Sequence, residues 1–374
     1  MKDLTRKIPI ELMVLGQGVF NYLEFLLRVL RSNLAKSIDP YKLTFAVTYK
    51  CNSRCKMCNI WRRESRNELR LEEIEEFFQK NRFLWLNLTG GEPFLRDDLV
   101  DIVRCARRPL LVNTTTNGFL TERVVEFAKI MRRYTTRLIV TVSIDGPKEI
   151  HDYLRGIQIW DRAIETLRAL MESRIECYVG YTATPINAGK LEETYLSIKR
   201  EIEEFSYRQL HLNFYHESEV YYDNVGRMKL DLDFYRKLFR DVGFLVRHRN
   251  CLDPITLLER LYLHFIPSFL QMRKMPLPCR ALRTSLFLDP FGNVFPCTNL
   301  NFVLGNLRKT NFELKPILDS LKARRILGHI DSGNCPQCWT PCEAYQTILG
   351  NVLKVIFNEL QKEEEQNRSS KKRD

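Results

Sequence analysis

Three cysteines, Cys51, Cys55 and Cys58, stand within eight residues in the segment CNSRCKMC. The spacing C-x-x-x-C-x-x-C offers three thiolates from one tight loop. Three thiolates hold three irons of a 4Fe–4S cube and leave the fourth iron without a protein ligand. An open metal position serves catalysis, whereas a structural site closes its coordination shell. A zinc loop is the competing reading, but zinc pairs usually come as C-x-x-C with partners further along.

Other groups of chemical promise follow at regular intervals. Gly90, Gly91, Glu92 and Pro93 form a GGEP run. Its glycines let the backbone approach a ligand closely, and Glu92 can accept a hydrogen bond from an ammonium group. Read alone, the run is also a turn into a helix, because proline is favoured at a helix start. Asn117 follows in TTTNG, and Ser143 and Asp145 lie in VSIDGP, with His151, Asp152, Arg155 and Gly156 after them. His151 and Asp152 read more naturally as helix capping and a local hydrogen bond than as catalysts.

On these motifs the chain resembles the radical SAM superfamily, whose signature is the cysteine triplet. The resemblance implies that the free iron is chelated by the amino and carboxylate groups of S-adenosylmethionine (SAM). An electron then cleaves the sulfonium, and a 5′-deoxyadenosyl radical abstracts hydrogen from a substrate. It also assigns Gly90, Gly91, Glu92 and Pro93 to the methionyl amine. Ser143 and Arg155 become partners of the ribose or carboxylate, with Asn117 and Asp145 among the SAM-site residues. Lys56 replaces the usual aromatic after the second cysteine, so Met57 or Trp61 would cover the adenine. An external electron donor such as a ferredoxin or flavodoxin is implied as well.

A second set of cysteines lies near the C-terminus: Cys279, Cys297, Cys335, Cys338 and Cys342. The run SLFLDPFGNVFPC reads as a hairpin turning over 289–293, which would carry Cys297 towards Cys279. Four thiolates from separated segments hold a complete cluster with no open iron. The segment resembles the start of a SPASM domain, in the shorter twitch version, and implies one auxiliary 4Fe–4S cluster. The preferred ligands are Cys279, Cys297, Cys335 and Cys338, with Cys342 as the rival fourth; a zinc knuckle is the structural alternative. Cys105, Cys177 and Cys251 have no partner spacing and read as ordinary buried residues.

The elements that must position these groups are legible as alternation. Strand-like runs at 43–48, 83–88, 110–115, 137–143, 177–184 and 209–215 alternate with amphipathic helical stretches. Such alternation implies βαβ units and a parallel sheet. An open doubly wound sheet would concentrate ligand groups at one switch point. Here four successive strands end in polar or glycine-rich loops, which favours a barrel with its site at the carboxyl ends. The fold expected is α/β: a partial (β/α)6 barrel resembling a TIM barrel, with a small cysteine-rich C-terminal domain. On the sixth run His211, Asn213 and Tyr215 share one side and face the lumen. Tyr49 and Tyr181 are weaker lumen candidates.

The division expected is an N-terminal helical extension over 1–40, the barrel over 41–250 and an apolar connector over 251–278. An auxiliary cluster domain over 279–345 and a C-terminal helix with charged tail over 346–374 complete it. At 374 residues and 44% hydrophobic, the chain can bury a large core and is not disordered. Clustered cysteines without a cleavable signal read as metal ligands in a reducing cytoplasm. The net charge of +12 lacks a basic block with interleaved aromatics, so nucleic-acid binding is a minority reading. The tail 362–374 has mixed charge and reads as a solvated end.

Two apolar segments, 8–34 and 255–275, are helical in period but too interrupted to span a bilayer. They read first as helices packed on the barrel. A second reading rests them peripherally on the inner face of a membrane, or has them deliver a greasy substrate. The substrate is accordingly open between a peptide, a lipid and a small polar metabolite. A non-catalytic iron–sulfur electron carrier or zinc-binding protein is the alternative from another class.

Overall fold

The computed structural model describes residues 10–35, 37–248 and 253–355, with side chains from residue 18 onward. Cys251 and the tail 362–374 lie outside the described residues. Six parallel strands form the body: β1 (Lys42–Thr48), β2 (Trp85–Gly90), β3 (Leu111–Thr116), β4 (Arg137–Ser143), β5 (Cys177–Ala183) and β6 (Leu210–Phe214). Helix α1 (Ile10–Leu34) precedes them. The crossovers are α2 (Leu71–Lys80), α3 (Leu99–Cys105), α4 (Thr121–Met131), the pair α5 (Lys148–Arg155) and α6 (Trp160–Glu172), and α7 (Leu191–Glu201). After β6 come α8 (Leu232–His248) and α9 (Pro254–Met272).

The strand order is β6-β5-β4-β3-β2-β1, so each crossover returns to the adjacent strand, as in a partial barrel. Strand β1 is buried along its whole length, whereas β5 and β6 alternate buried with half-buried residues. In β6 the buried set is Leu210, Leu212 and Phe214, and the half-buried set is His211 and Asn213. The helices cover the outer face with apolar residues at helical spacing. In α2 these are Ile74, Phe77 and Phe78, separated by three and one positions.

The sheet continues past β1 into β7 (Ser285–Leu288), β8 (Asn293–Phe295) and β9 (Gly305–Asn306). Strand β7 pairs in parallel with β1, while β7–β8 and β8–β9 are antiparallel. The hairpin expected at 289–293 is therefore present, and the sheet runs across the expected boundary at 279. Helices α10 (Lys315–Leu318), α11 (Leu321–Asp331) and α12 (Pro341–Leu349) complete the described chain.

The two apolar helices behave differently. Helix α9 buries Tyr262, Leu263, Ile266, Phe269 and Leu270 and packs on α8 and α12, as the packing reading expects. Helix α1 packs Val29 and Phe25 against Tyr41, Leu84 and Leu110, with polar bonds along the same side. Asn21 donates to the Arg108 carbonyl at 2.9 Å, and Glu24 pairs with Arg82 at 3.0 Å. Arg28 pairs with Asp39 at 3.2 Å, and Asn33 donates to the Leu349 carbonyl at 2.8 Å. The opposite side keeps apolar side chains in solvent, with Phe20 61% and Leu26 59% exposed. Among the described residues no helix is long and apolar enough to cross a membrane.

Candidate functional site

The loops after the first four strands are tied together by hydrogen bonds. Gly91 N–H donates to the Thr48 carbonyl and Glu92 N–H to the Lys50 carbonyl, both at 2.8 Å, so strand pairing extends into the loops. A Cβ on Gly90 would lie 2.1 Å from the Thr48 oxygen, and one on Gly91 2.1 Å from the Lys50 oxygen. Gly90 also has φ +127°. These glycines are thus required by the approach of two protein strands, and both also line the chamber inside the barrel.

Glu92 is buried at the centre of this network. Its carboxylate accepts from Asn117 N–H at 2.7 Å, the Thr116 hydroxyl at 2.9 Å and Phe94 N–H at 3.2 Å. Burial pushes its pKa up to about 7, against the pull of those donors and of Arg155. Asn117 in turn donates to Asn52 Oδ1 at 2.6 Å and to Ser53 Oγ at 3.1 Å, which bonds the third loop to the cysteine loop. Pro93 opens a short helical turn behind Glu92, where its missing N–H costs nothing.

The fourth loop holds the cysteine loop from the other side. Arg54 N–H donates to the Arg155 carbonyl at 2.9 Å and Lys56 N–H to the Leu154 carbonyl at 2.8 Å. Gly156 (φ +68°) ends α5, and a Cβ there would meet the Arg54 oxygen at 2.3 Å. Arg155 lines the chamber and is also engaged on the protein side. Its guanidinium pairs with the wholly buried Asp145 carboxylate at 2.5 Å and reaches Cys55 Sγ at 3.8 Å. Asp145 Oδ1 also accepts from Thr182 N–H at 2.8 Å. The local readings of the next two residues hold: His151 Nδ1 accepts from Asp145 N–H at 3.0 Å, and Asp152 accepts from Ile159 and Trp160 N–H, each at 2.8 Å.

The thiols of Cys51, Cys55 and Cys58 are electrostatic neighbours of one another. Burial pushes Cys51 and Cys58 up to about 12, and Cys55 upward too. Three adjacent buried thiolates therefore need a cation, and iron supplies one. Ile60 N–H points at Cys58 Sγ at 3.5 Å, the kind of donor that tunes a ligating sulfur. The donor set fits a cube with one open iron.

The second set also assembles. Cys279, Cys297, Cys335 and Cys338 are mutual electrostatic neighbours, and burial raises all four. Ala281 N–H points at Cys279 Sγ at 3.4 Å and Leu300 N–H at Cys297 Sγ at 3.2 Å. The buried Asn299 amide hydrogen-bonds the Cys338 thiol, the kind of donor that tunes a ligating sulfur. Cys342 shares Glu343 with Cys279, Cys297 and Cys338 as a neighbour but differs from them in its other neighbours, Lys42 and the hydrogen-bonding Tyr221. Among the described residues no three His, Cys, Asp or Glu side chains converge on one ion. Ligands of a cube bind different irons and stand wider apart than ligands of a single zinc.

The first arrangement opens onto the chamber inside the barrel, and of the C-terminal cysteines Cys342 lines it. The three N-terminal cysteines, Gly90, Gly91, Glu92, Asn117, Ser143 and Arg155 line it, with Met57 and Trp61 at the cysteine loop. His211, Asn213 and Tyr215 line it as expected, whereas Tyr49 and Tyr181 do not. Tyr181 instead donates to the Asn187 carbonyl at 2.5 Å. Lys42, Trp85, Asn87, Asn113, Thr141, Tyr221 and Thr340 also line it and were not singled out in the sequence. Alternation along β1 to β4 was the available signal, since residues two apart share a face. Of the other cysteines, Cys177 is buried and Cys105 packs half-buried on the core.

Comparison with known proteins agrees with this geometry. The profile of the radical SAM superfamily matches residues 45–198, and that of the SPASM iron–sulfur cluster-binding domain matches 279–343. The antilisterial bacteriocin subtilosin biosynthesis protein AlbA of Bacillus subtilis is 24% identical over 316 residues, covering 79% of this chain and 65% of AlbA. The mycofactocin maturase MftC of Mycolicibacterium smegmatis is 26% identical over 41% of this chain and 40% of its own. Pre-heme d1 synthase of Dinoroseobacter shibae is 29% identical, over 46% and 44%. The chain thus spans 65% or less of these curated relatives. In fold it is similar to anSMEcpe with bound AdoMet (TM-score 0.58, 16% identity, 85% and 98% covered). It is also similar to Streptococcus suis SuiB bound to the precursor peptide SuiA (TM-score 0.57, 19% identity, 81% and 70% covered).

Proposed function

This chain belongs to the radical SAM superfamily and carries a C-terminal SPASM domain, and on that premise we propose that it modifies a peptide by abstracting hydrogen from one of its C–H bonds. Its cofactors are a 4Fe–4S cluster, SAM and auxiliary iron–sulfur. When bound and reduced, the cluster and SAM supply a 5′-deoxyadenosyl radical. In this reading Cys51, Cys55 and Cys58 hold the cluster, and Arg155, neutralised by Asp145, steadies Cys55. Gly90, Gly91, Glu92, Asn117 and Ser143 form the SAM side of the chamber. Cys279, Cys297, Cys335 and Cys338 hold one auxiliary cluster. A ferredoxin or flavodoxin is the proposed electron donor, and a reducing cytoplasm the proposed location.

One observation carries the choice of substrate class. Asn87, Thr89, Asn113, Thr115, Thr141 and Asn213 place uncharged amides and hydroxyls on the lumen wall, with Asn113 bonded to Asn87 at 3.0 Å and Thr89 to Tyr221 at 2.6 Å. Their remaining donors and acceptors can pair with the carbonyl and N–H groups of a peptide. The relatives named for bacteriocin biosynthesis and maturation, and SuiB with its precursor peptide, support this reading.

The test is release of 5′-deoxyadenosine by the reconstituted protein with SAM and dithionite under anaerobic conditions. Stimulation by a peptide fraction of the native cells is expected. Stimulation by the lipid fraction alone overturns the substrate class, and no release even at a basal rate overturns the enzyme.

A further inference from the structure

The chamber has a second wall, away from the SAM loops, that the proposed function leaves unused. Lys42 opens β1 and Trp85 opens β2, opposite the strand ends that carry the cysteine and glycine loops. The buried Lys42 Nζ donates to the Cys342 carbonyl at 2.5 Å and to Gln346 Oε1 at 2.9 Å, and lies 4.5 Å over the Trp85 ring. Trp85 and Cys342 are therefore both neighbours of one ammonium. Thr340, two residues before Cys342, is 2% exposed, and Trp85 is 8% exposed. The Thr340 hydroxyl and the Trp85 indole N–H both lack a partner, and both residues line the chamber. Thr340 even occupies the cap position of α12 without its side chain capping.

Two buried, unpartnered polar groups on the lining of one chamber each cost free energy unless a ligand satisfies them. An indole N–H only donates, so its partner is an acceptor. A carbonyl or carboxylate oxygen meets that need and also suits the nearby Lys42. The thiol beside them is the fifth C-terminal cysteine, the one with Lys42 as a neighbour. Tyr221, bonded to Thr89 Oγ1 at 2.6 Å, has both the Cys342 and the Cys58 thiols as electrostatic neighbours. The Cys342 thiol thus faces the same space as the SAM-side cysteines, from another direction.

We propose that Cys342 is a catalytic thiol rather than an auxiliary-cluster ligand, and that Trp85 and Thr340 beside it bind a carbonyl oxygen of the substrate. This rests on the proposed function and deepens it. A substrate carbon radical formed on the SAM side takes the hydrogen atom of Cys342 Sγ–H. A C–H bond forms, the S–H bond breaks, and the sulfur keeps one unpaired electron. One electron from the low-potential donor and one proton from water restore the thiol. The hydrogen returns from the wall facing the SAM loops, so the substrate carbon is inverted in configuration without net oxidation.

The test uses the reconstituted holoprotein and its Cys342→Ala and Cys342→Ser variants, with Cys338→Ala for comparison. Both Cys342 variants are expected to keep the iron of two cubes, about eight per chain, whereas Cys338→Ala falls to about four. Turnover with SAM and dithionite in D2O, with the peptide fraction of the native cells, then reads the thiol. The unsubstituted protein is expected to yield a peptide carrying one non-exchangeable deuterium delivered from S–D, and the labelled fraction falls several-fold in both Cys342 variants. Loss of iron from the Cys342 variants overturns the proposal, because it makes Cys342 a ligand. Unchanged deuterium in the peptide overturns this proposal alone. Absence of 5′-deoxyadenosine overturns the proposed function and this inference with it.

Discussion

The two cysteine groups do similar chemistry and are built in opposite ways. Cys51, Cys55 and Cys58 come from a single loop, and neighbouring loops only brace it through Arg155, Asn117 and Glu92. Cys279, Cys297, Cys335 and Cys338 come from separate segments brought together by the β7–β8 hairpin and the chain between α11 and α12. A local loop can leave an iron open because three ligands are all it has. A set gathered from distant segments can close a shell, and can also leave one candidate out, as we propose for Cys342. Proximity in sequence therefore predicts the first group and only nominates the second.

The comparison breaks most decisively at the metals. Cys55→Ala is expected to abolish 5′-deoxyadenosine formation and to lower iron from about eight to about four per chain, with the auxiliary cluster retained. Equal loss of both clusters, read by iron assay and electron paramagnetic resonance, would show that the groups are not independent. Replacing Cys297 with Ser should remove the auxiliary iron instead and leave SAM cleavage measurable.

The braces are next in size. Arg155→Leu strands the Asp145 carboxylate in the interior, and a buried charge without its partner costs about 3–5 kcal/mol. Chemical denaturation should show that loss, and adding Asp145→Asn should recover most of it. If the double variant is no better than the single one, the pair is not what holds the fourth loop. Gly91→Ala pushes a Cβ against the Lys50 carbonyl, an overpacking cost of about 1–3 kcal/mol that thermal unfolding would read.

The smallest effect is one of pH. Burial raises Glu92 to about 7, so its carboxylate is ionised above that value and protonated as the pH falls through it. The ionised form accepts a hydrogen bond from the SAM amine that the protonated form accepts more weakly, so SAM affinity should weaken by up to about tenfold from pH 8 to pH 6. Equilibrium dialysis of Glu92→Gln should give a flat profile over this range. A slope that survives that substitution would assign the titration to another group.

The strand–helix alternation and the face that carries the loops were legible because burial repeats with period two in strands and 3.6 in helices. The cysteine triplet and the GGEP run were legible because their chemistry is local. Roles that depend on what stands opposite were not. Arg155 suits a carboxylate, and only the fold shows that Asp145 supplies one. Gly90 and Gly91 invite a ligand on paper, and only the structure shows that Thr48 and Lys50 crowd the same glycines. Cys342 looks like a rival for Cys335 or Cys338 by spacing alone. Four residues along the chain carry it from the Cys338 thiol group to the first turn of α12 and the Lys42 ammonium. Sequence by itself determined which groups could bind iron, since thiol chemistry and short spacing travel with the chain. Tertiary structure alone decided which of them share a space, because contacts between β1, β7 and α12 join segments some three hundred residues apart.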